Sequence, residues 1–561
     1  MTPADATVAV YRDAAMTQQV ADLSHVPYGT YFYTVSKNGY VTKEGSFGVA
    51  FQDVVLDITL SEAVNVPVSL TPSGAALVVK DANGGVVTAI ADGSYTLIKN
   101  GYYTYTASAD GYLTENGSFT ATSGMTLNIA LTSSAGVTII PTGDYTITSG
   151  GGYALEDGYA GIITVDTTEP VTLIGTGTGS AYHDVSVECA VAGVNLTIKD
   201  LYILQETGSR NMFNFQGANN TLNVEGVGLL EKDTGATGYA MIHVPDSAEL
   251  TISGGTLYMY KSEQGAGIGG NGGATGGGQT PETNGKINIV NATIFGKNSK
   301  QGALVGAGAN AGTQTPKPIN IINSDLTLIA VSRAAAIGGS AGSGGASAGS
   351  TVTVTNSRVT VNVDFSGSAI GDGGYDGGND SDGGTLIYNS GSVRAFIDEN
   401  AKGAWNVDEA GVNGNKSITA NIVRADGAPL YMLELDTADI SGDTFEVREG
   451  NTVIYSGPRH QYAYVNEALP KDSQIPINNT MDNWTALDDT DLYLYVTGED
   501  HSLTVNGAKY TAIWNAASES FIVTEDTSPT VMLGDVDGNG KVTSWDVTLV
   551  RRFIVGIITS F

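Results

Sequence analysis

In 561 residues the chain carries 58 Asp and Glu against 26 Lys and Arg, a formal net charge of −32. That balance argues against nucleic acid and anionic membranes as partners, and one Cys excludes an intramolecular disulfide framework. The length is that of several domains, and no run reaches the about 18 uncharged apolar residues of a transmembrane segment.

The start, Met1-Thr-Pro-Ala-Asp-Ala, has no basic region followed by an apolar core, so no signal peptide is visible in this sequence. Next comes a repeat. Tyr33-Thr-Val-Ser-Lys-Asn-Gly-Tyr-Val-Thr-Lys-Glu-Gly-Ser-Phe47 returns as Tyr105-Thr-Ala-Ser-Ala-Asp-Gly-Tyr-Leu-Thr-Glu-Asn-Gly-Ser-Phe119, displaced by 72 residues. With the alternating runs around it, the phrase predicts two small β-sandwich modules, residues 1–62 and 63–133. It resembles the fibronectin-like or carboxypeptidase-regulatory-like β modules of bacterial surface proteins. Alternation sends about half of Tyr31, Phe32, Tyr33, Tyr40, Tyr103, Tyr105 and Tyr112 into the module cores. A sugar-stacking surface is the other use of such residues.

From residue 134 to 395 the chain reads as stacked strands. Tyr145-Thr-Ile-Thr148, Ile162-Ile-Thr-Val165, Val171-Thr-Leu-Ile174, Val185-Ser-Val-Glu-Cys189, Leu196-Thr-Ile198, Thr221-Leu-Asn-Val224 and Leu250-Thr-Ile252 are strand-sized and separated by turn residues. Cys189 is expected as a buried small hydrophobe. Further on, Gly265-Ala-Gly-Ile-Gly-Gly270 recurs as Gly302-Ala-Leu-Val-Gly-Ala307, Ala334-Ala-Ala-Ile-Gly-Gly339 and Gly367-Ser-Ala-Ile-Gly-Asp372. Ile268, Val305, Ile337 and Ile370 lie 37, 32 and 33 residues apart; Asn291, Asn323, Asn356 and Asn389 lie 32, 33 and 33 apart. Two columns with one period predict an all-β solenoid of stacked parallel strands, with one inward apolar ladder and equivalent Asn turns. Small residues beside each Ile allow close backbone approach. The segment resembles the right-handed parallel β-helix of the pectin-lyase-like proteins.

Residues 396–525 read as one or two further β domains able to cap the solenoid's open edge, with Asn506-Gly507 marking a two-residue hairpin. At the C-terminus, residues 530–561, Asp535, Asp537, Asn539, the Lys541 carbonyl, Thr543 and Asp546 occupy positions 1, 3, 5, 7, 9 and 12 of a Ca²⁺ loop, followed by a helical apolar stripe. This segment resembles the first half of a type I dockerin. The resemblance implies a secreted or cell-surface bacterial protein held through calcium to a cohesin-bearing scaffold, in a setting of glycan-processing enzymes.

Only the last repeat carries acids in its Gly-rich loop: Asp372, Asp376, Asp380 and Asp382. Paired carboxylates cleave glycosidic bonds, one as acid and the other as nucleophile or base, and crowding separates their proton affinities. Asp372 replaces an in-register small residue and is the leading catalytic candidate, with Asp380, Asp382 or Asp376 as partner. Calcium binding and simple solvation are the competing uses of this loop. Tyr182, His183, Arg210, Phe213 and Tyr375 are candidate sugar contacts, and Glu263 and Gln264 candidate groove-wall residues. His25, His183, His243, His460 and His501 show no zinc-ligand spacing. A Gly-rich β-helix with close aspartates followed by β domains is similar to the bacterial lacto-N-biosidase β-helix family, which implies retaining cleavage of a host-type oligosaccharide. No pectinase-like Asn-Thr-Asp followed by Asp-Asp is present, nor a basic set suited to uronates. The expected function is an extracellular glycoside hydrolase acting on a host or plant oligosaccharide or polysaccharide, without a catalytic cofactor. A noncatalytic adhesin or glycan-binding protein with a β-helix stalk is the alternative.

Overall fold

The computed structural model describes residues 3, 5–23, 26–50, 54–56, 58–81, 84–177, 181–207, 210–232, 238–273, 279–298, 300–312, 314–330, 333–342, 347–363, 367–373, 383–397, 418–437, 440, 444–458 and 492–526. Among them the chain is all-β. Two long parallel sheets dominate, one of 15 strands from Val137–Ile140 to Asn421–Val423 and one of nine short strands from Tyr145–Ile147 to Ile370–Gly371. Successive strands of each sheet come from successive coils, the pattern of a β-solenoid.

The apolar column is continuous and longer than its periodic part. Ile163, Val187, Phe213, Ile242, Ile268, Val305, Ile337 and Ile370 are register partners in turn. All eight are fully buried, and burial of each such side chain contributes about 1.5–3 kcal/mol. Beside this ladder runs a glycine column. Gly269, Gly306, Gly338 and Gly371 have φ of 139°, 144°, 127° and 145°. A Cβ on the first three would lie 1.9, 2.0 and 2.2 Å from the carbonyl oxygen of the next coil. Coil-to-coil packing therefore forbids any side chain there.

The Asn column bends the long strands. Asn291, Asn323 and Asn356 take left-handed conformations, φ 51°, 49° and 46°, which Asn tolerates better than most residues. Asn389, expected at the fourth corner, is not left-handed and falls one residue out of register, while Gly391, with φ 121°, pairs with Ser357. The serine after each later Asn serves the coil before it: Ser324, Ser357 and Ser390 Oγ accept the amides of Ala292, Ser324 and Asn356 at 3.1, 3.0 and 2.9 Å.

One more rung follows the last repeat. Ile418 bridges Ile370, and Asn421–Val423 pairs with Thr385–Tyr388, so the coils run past residue 395. Leu492–Val496 then lies against the final coil. The Tyr493 amide donates to Ser392 Oγ at 3.2 Å, Tyr495 Oη donates to the Val393 carbonyl at 3.3 Å, and the Tyr495 ring meets Tyr388 edge-on at 5.2 Å. Asn506 and Gly507, φ 48° and 90°, form the two-residue turn between His501–Val505 and Ala508–Asn515.

Ahead of the solenoid the duplicated phrase folds the same way twice. Tyr31 stacks on Phe47 at 5.8 Å and Tyr103 on Phe119 at 5.7 Å, both at 27°. Tyr33 and Tyr105 lie across Gly45 and Gly117, where a Cβ would meet the rings at 2.5 Å. Tyr31 and Tyr103 are buried, while Tyr112 is exposed; hairpin packing is thus the main use of these aromatics.

Cys189 is 1% exposed, and burial pushes its thiol well above the ordinary value. Because the thiolate is the reactive species, a thiol reagent at mildly alkaline pH is expected to find no reactive group in the folded chain and one equivalent after denaturation. Stoichiometric labelling of the folded protein would contradict this burial.

Candidate functional site

Each early short strand places apolar residues inward on both sides of one outward residue, the period-two rule of strands. In register, the outward residues are Thr164, Glu188, Asn214 and His243, and after these the glycine column begins. The last three form a hydrogen-bonded chain that ends on Glu282. Asn214 Nδ2 donates to Glu188 Oε2 at 2.6 Å, His243 Nδ1 meets Asn214 Oδ1 at 2.7 Å, and His243 Nε2 meets Glu282 Oε2 at 2.7 Å. Ser186 Oγ donates to the other Glu188 oxygen at 3.2 Å.

The network fixes proton positions. A carboxylate can only accept from the Asn214 amide, so the Asn214 oxygen faces His243 and Nδ1 of that ring carries a proton. The short contact between Nε2 and Glu282 joins imidazole and carboxyl directly. Glu188 accepts from the Asn214 amide, and the Ser186 hydroxyl, which bonds the Asn211 carbonyl at 2.7 Å, lies against its other oxygen. The column thus links two carboxyls, Glu188 and Glu282, through an amide and an imidazole. The His243 side chain is 10% exposed and the Glu282 side chain 31%, so Glu282 is the part of the pair that meets solvent.

Glu282 reaches this place from the loop of the following coil. Its amide donates to the Asn271 carbonyl at 2.8 Å, and its carbonyl accepts from the Gly308 amide at 3.0 Å. Asn271 Oδ1 in turn accepts from Asn211 Nδ2 at 2.7 Å and from the Ala240 amide at 2.8 Å. Four successive coils therefore hold the backbone that carries Glu282.

Asp372 lies at the other end of the glycine column. It is 7% exposed, and its carboxylate accepts the hydroxyl of Thr419, which itself accepts the Asp372 amide at 3.1 Å. The Asp372 carbonyl accepts from Ser368 Oγ at 2.7 Å. At the equivalent Gly339 a Cβ would lie 2.2 Å from the Ser347 carbonyl; Asp372 instead bonds to Thr419 of the next rung. Its expected partners Asp376, Asp380 and Asp382, together with Tyr375, lie outside the described residues, as do Asp535, Asp537, Asn539, Lys541, Thr543 and Asp546.

Several predicted sugar contacts are placed elsewhere. Tyr182 and Phe213 are 1% and 0% exposed and belong to the solenoid core; both follow the inward alternation of very short strands, so neither ring offers a stacking face. They also belong to different sheets. His183 is exposed and pairs with Glu206 at 3.0 Å, and Arg210 is exposed. Glu263 is buried rather than on an open wall, its carboxylate 3.5 Å from Lys300 Nζ. Lys232 is buried nearby and donates to the Tyr239 carbonyl. Burial lowers its amine to about 7, against the pull of Glu263. Gln264 is partly exposed, and its carbonyl accepts the Ala309 amide at 2.7 Å.

Sequence reading missed Glu188, Asn214, His243 and Glu282. The available signal was the triplet of one polar residue between two apolar ones in Ile163-Thr-Val165, Val187-Glu-Cys189, Phe213-Asn-Phe215 and Ile242-His-Val244. Among the described residues, no group of three or more His, Cys, Asp and Glu is arranged to hold a metal ion, and no helix is long and apolar enough to cross a membrane. No protein-family model, curated protein or solved structure matches the chain.

Proposed function

We propose that the chain is an extracellular glycoside hydrolase acting on a host or plant oligosaccharide or polysaccharide along the outward polar column. The observation that carries this reading is the single hydrogen-bonded row Glu188–Asn214–His243–Glu282, which sets two carboxyls along one outward column. Glycosidic cleavage needs a carboxyl that donates a proton to the leaving oxygen and a carboxylate that attacks carbon or activates water. Glu282 takes the first role and Glu188 the second.

Asp372 supplies a second placement of the reaction. In its favour stands the substitution itself, a carboxylate held by Thr419 where the other repeats carry Gly or Ala, with Asp376, Asp380 or Asp382 as partner. Incubation of the full chain with a panel of host and plant oligosaccharides, with product analysis, tests the proposal. The expected result is cleavage that survives Asp372→Asn and fails in Glu282→Gln; the reverse pattern moves the reaction centre to the acidic loop. Glycan binding with no cleavage of any substrate overturns hydrolysis in favour of the adhesin reading.

For the C-terminus we propose a calcium-held, dockerin-like attachment to a cohesin-bearing scaffold. Asp535, Asp537, Asn539, the Lys541 carbonyl, Thr543 and Asp546 supply the six or more oxygens that Ca²⁺ demands. Calorimetry on the full chain is expected to give one calcium site with an affinity of about 10⁻⁴–10⁻³ M, as in extracellular modules, absent from the Asp535→Ala, Asp546→Ala variant. Equal heats from both proteins would exclude the loop.

A further inference from the structure

The inward face of the long sheet ends in polar side chains. Gln205 and Lys232 are register partners at the ends of their strands, as are Ser262 and Asn298. Continuing the inward alternation of Ile203, Leu230, Met259 and Ile294 turns all four into the solenoid, where all four are buried. An amine in such a place gives up its hydration, a loss tolerated only where the group is bonded. The cleavage proposed above makes no use of Lys232.

Two of these residues bind the backbone that leaves their own strand. Asn298 Nδ2 donates to the Gly302 carbonyl at 3.1 Å, and Lys232 Nζ donates to the Tyr239 carbonyl. The two turns differ in what they lead to. Beyond Gly302 comes Val305–Gly306, in the glycine column; beyond Tyr239 comes Ile242–His243, in the polar row.

The Tyr239–Ala240 peptide is held from further sides. The Ala240 amide donates to Asn271 Oδ1 at 2.8 Å, and its carbonyl accepts from Asn211 Nδ2 at 3.0 Å. A Cβ on Gly265 of the next coil would lie 2.2 Å from the Tyr239 carbonyl carbon and oxygen, so this peptide packs directly against bare backbone. The strand that follows has two residues, too few to correct a displaced approach. His243 Nδ1 and Nε2 each have a partner at 2.7 Å, Asn214 and Glu282, and a shift of the ring loosens both.

We infer that Lys232 is a positioning residue for the polar row: from inside the solenoid its amine fixes the Tyr239–Ala240 peptide and thereby the place of the His243 imidazole against Glu282. Its effect on turnover rests on the reading of that row as the reaction centre; its effect on His243 does not. Methionine keeps the length of the side chain without a donor, so Lys232→Met frees one anchor of the peptide and leaves the Asn211 and Asn271 bonds in place. Asn298→Ala removes the corresponding bond in a coil whose turn leads to no residue of the row, and is the control for general loosening.

Diethylpyrocarbonate labelling of the folded full chain at about pH 7, where an unpaired imidazole is largely neutral, tests the positioning, with peptide mapping to read His243 apart from the other four histidines. His243 is expected to react about fivefold faster or more in Lys232→Met than in the wild type, the effect of losing one net hydrogen bond on a local opening equilibrium. In Asn298→Ala it should react at the wild-type rate. Equal His243 rates in the wild type and Lys232→Met overturn the inference, and so does an equal rise in Asn298→Ala. Lys232→Gln, one atom shorter than lysine, is read in the same way where the methionine variant does not fold. On a glycan that the wild type cleaves, Lys232→Met should lower kcat by about tenfold or more with KM unchanged, since a small misplacement of a reacting group costs up to about 10². Faster labelling with unchanged kcat removes Lys232 from turnover. A wild type that cleaves no glycan defeats the hydrolase reading, while the labelling still decides the positioning.

Discussion

Gly338→Ala is expected to destabilise the solenoid by about 3 kcal/mol or more, through backbone strain and overpacking together. Gly338 has φ 127°, outside the range that alanine adopts freely. The new Cβ would lie 2.2 Å from the Gly371 carbonyl oxygen, 3.2 Å from its carbon and 3.4 Å from its nitrogen. Backbone cannot swing aside as a flexible side chain can, so relief requires two coils to separate and their parallel hydrogen bonds to lengthen. Gly74→Ala is the control, since nothing lies within 4 Å of its Cβ and its φ is not in the left-handed range. Chemical denaturation should move the Gly338→Ala midpoint far below wild type and leave Gly74→Ala close to it. Similar midpoints for the two variants would contradict the packed glycine column.

Glu282→Gln is expected to lower turnover of a cleaved glycan by about 10² or more, since positioned proton transfer is worth about 10²–10⁴. The change replaces the carboxyl by an amide that cannot donate a proton as an acid while preserving side-chain size, so circular dichroism and melting should stay near wild type. His243→Gln should fall in the same direction, because the imidazole bonds the Glu282 carboxyl and orients it. Loss in both variants with unchanged substrate affinity would mark a role in the bond-breaking step; undiminished turnover in Glu282→Gln would remove the column from the reaction.

Much of the solenoid was legible because coils of similar length repeat their chemistry in register. Ile268, Val305, Ile337 and Ile370 announce the ladder, and Asn291, Asn323 and Asn356 the left-handed corners. The candidate site lies where that regularity fails. The coils holding Glu188, Asn214 and His243 differ in length, so no period aligns those residues, and their strands are only two to four residues long. Glu282 joins His243 across 39 residues of sequence, a contact made by loop geometry. Short strands also explain Tyr182 and Phe213: each looks like a loop residue in sequence, yet strand alternation turns it inward. Asp372 stands out in the repeat as its acidic exception, but nothing in the periodicity foretells that Thr419, 47 residues later, occupies the next rung and binds its carboxylate.

The Gly column and the Asn corners together make the repeat a modular length standard. Each coil presents the next with the same edge: an inward Ile or Val, a side-chain-free residue and an Asn or Ser amide-binding corner. Gain or loss of one whole unit leaves every remaining interface between like partners and changes the long axis by a single strand spacing, about 4.8 Å. Removing part of a unit puts a side chain where a carbonyl must pass. Gene-level duplication can thus tune the distance between the two ends of the molecule in fixed steps, while fractional changes are filtered out by sterics.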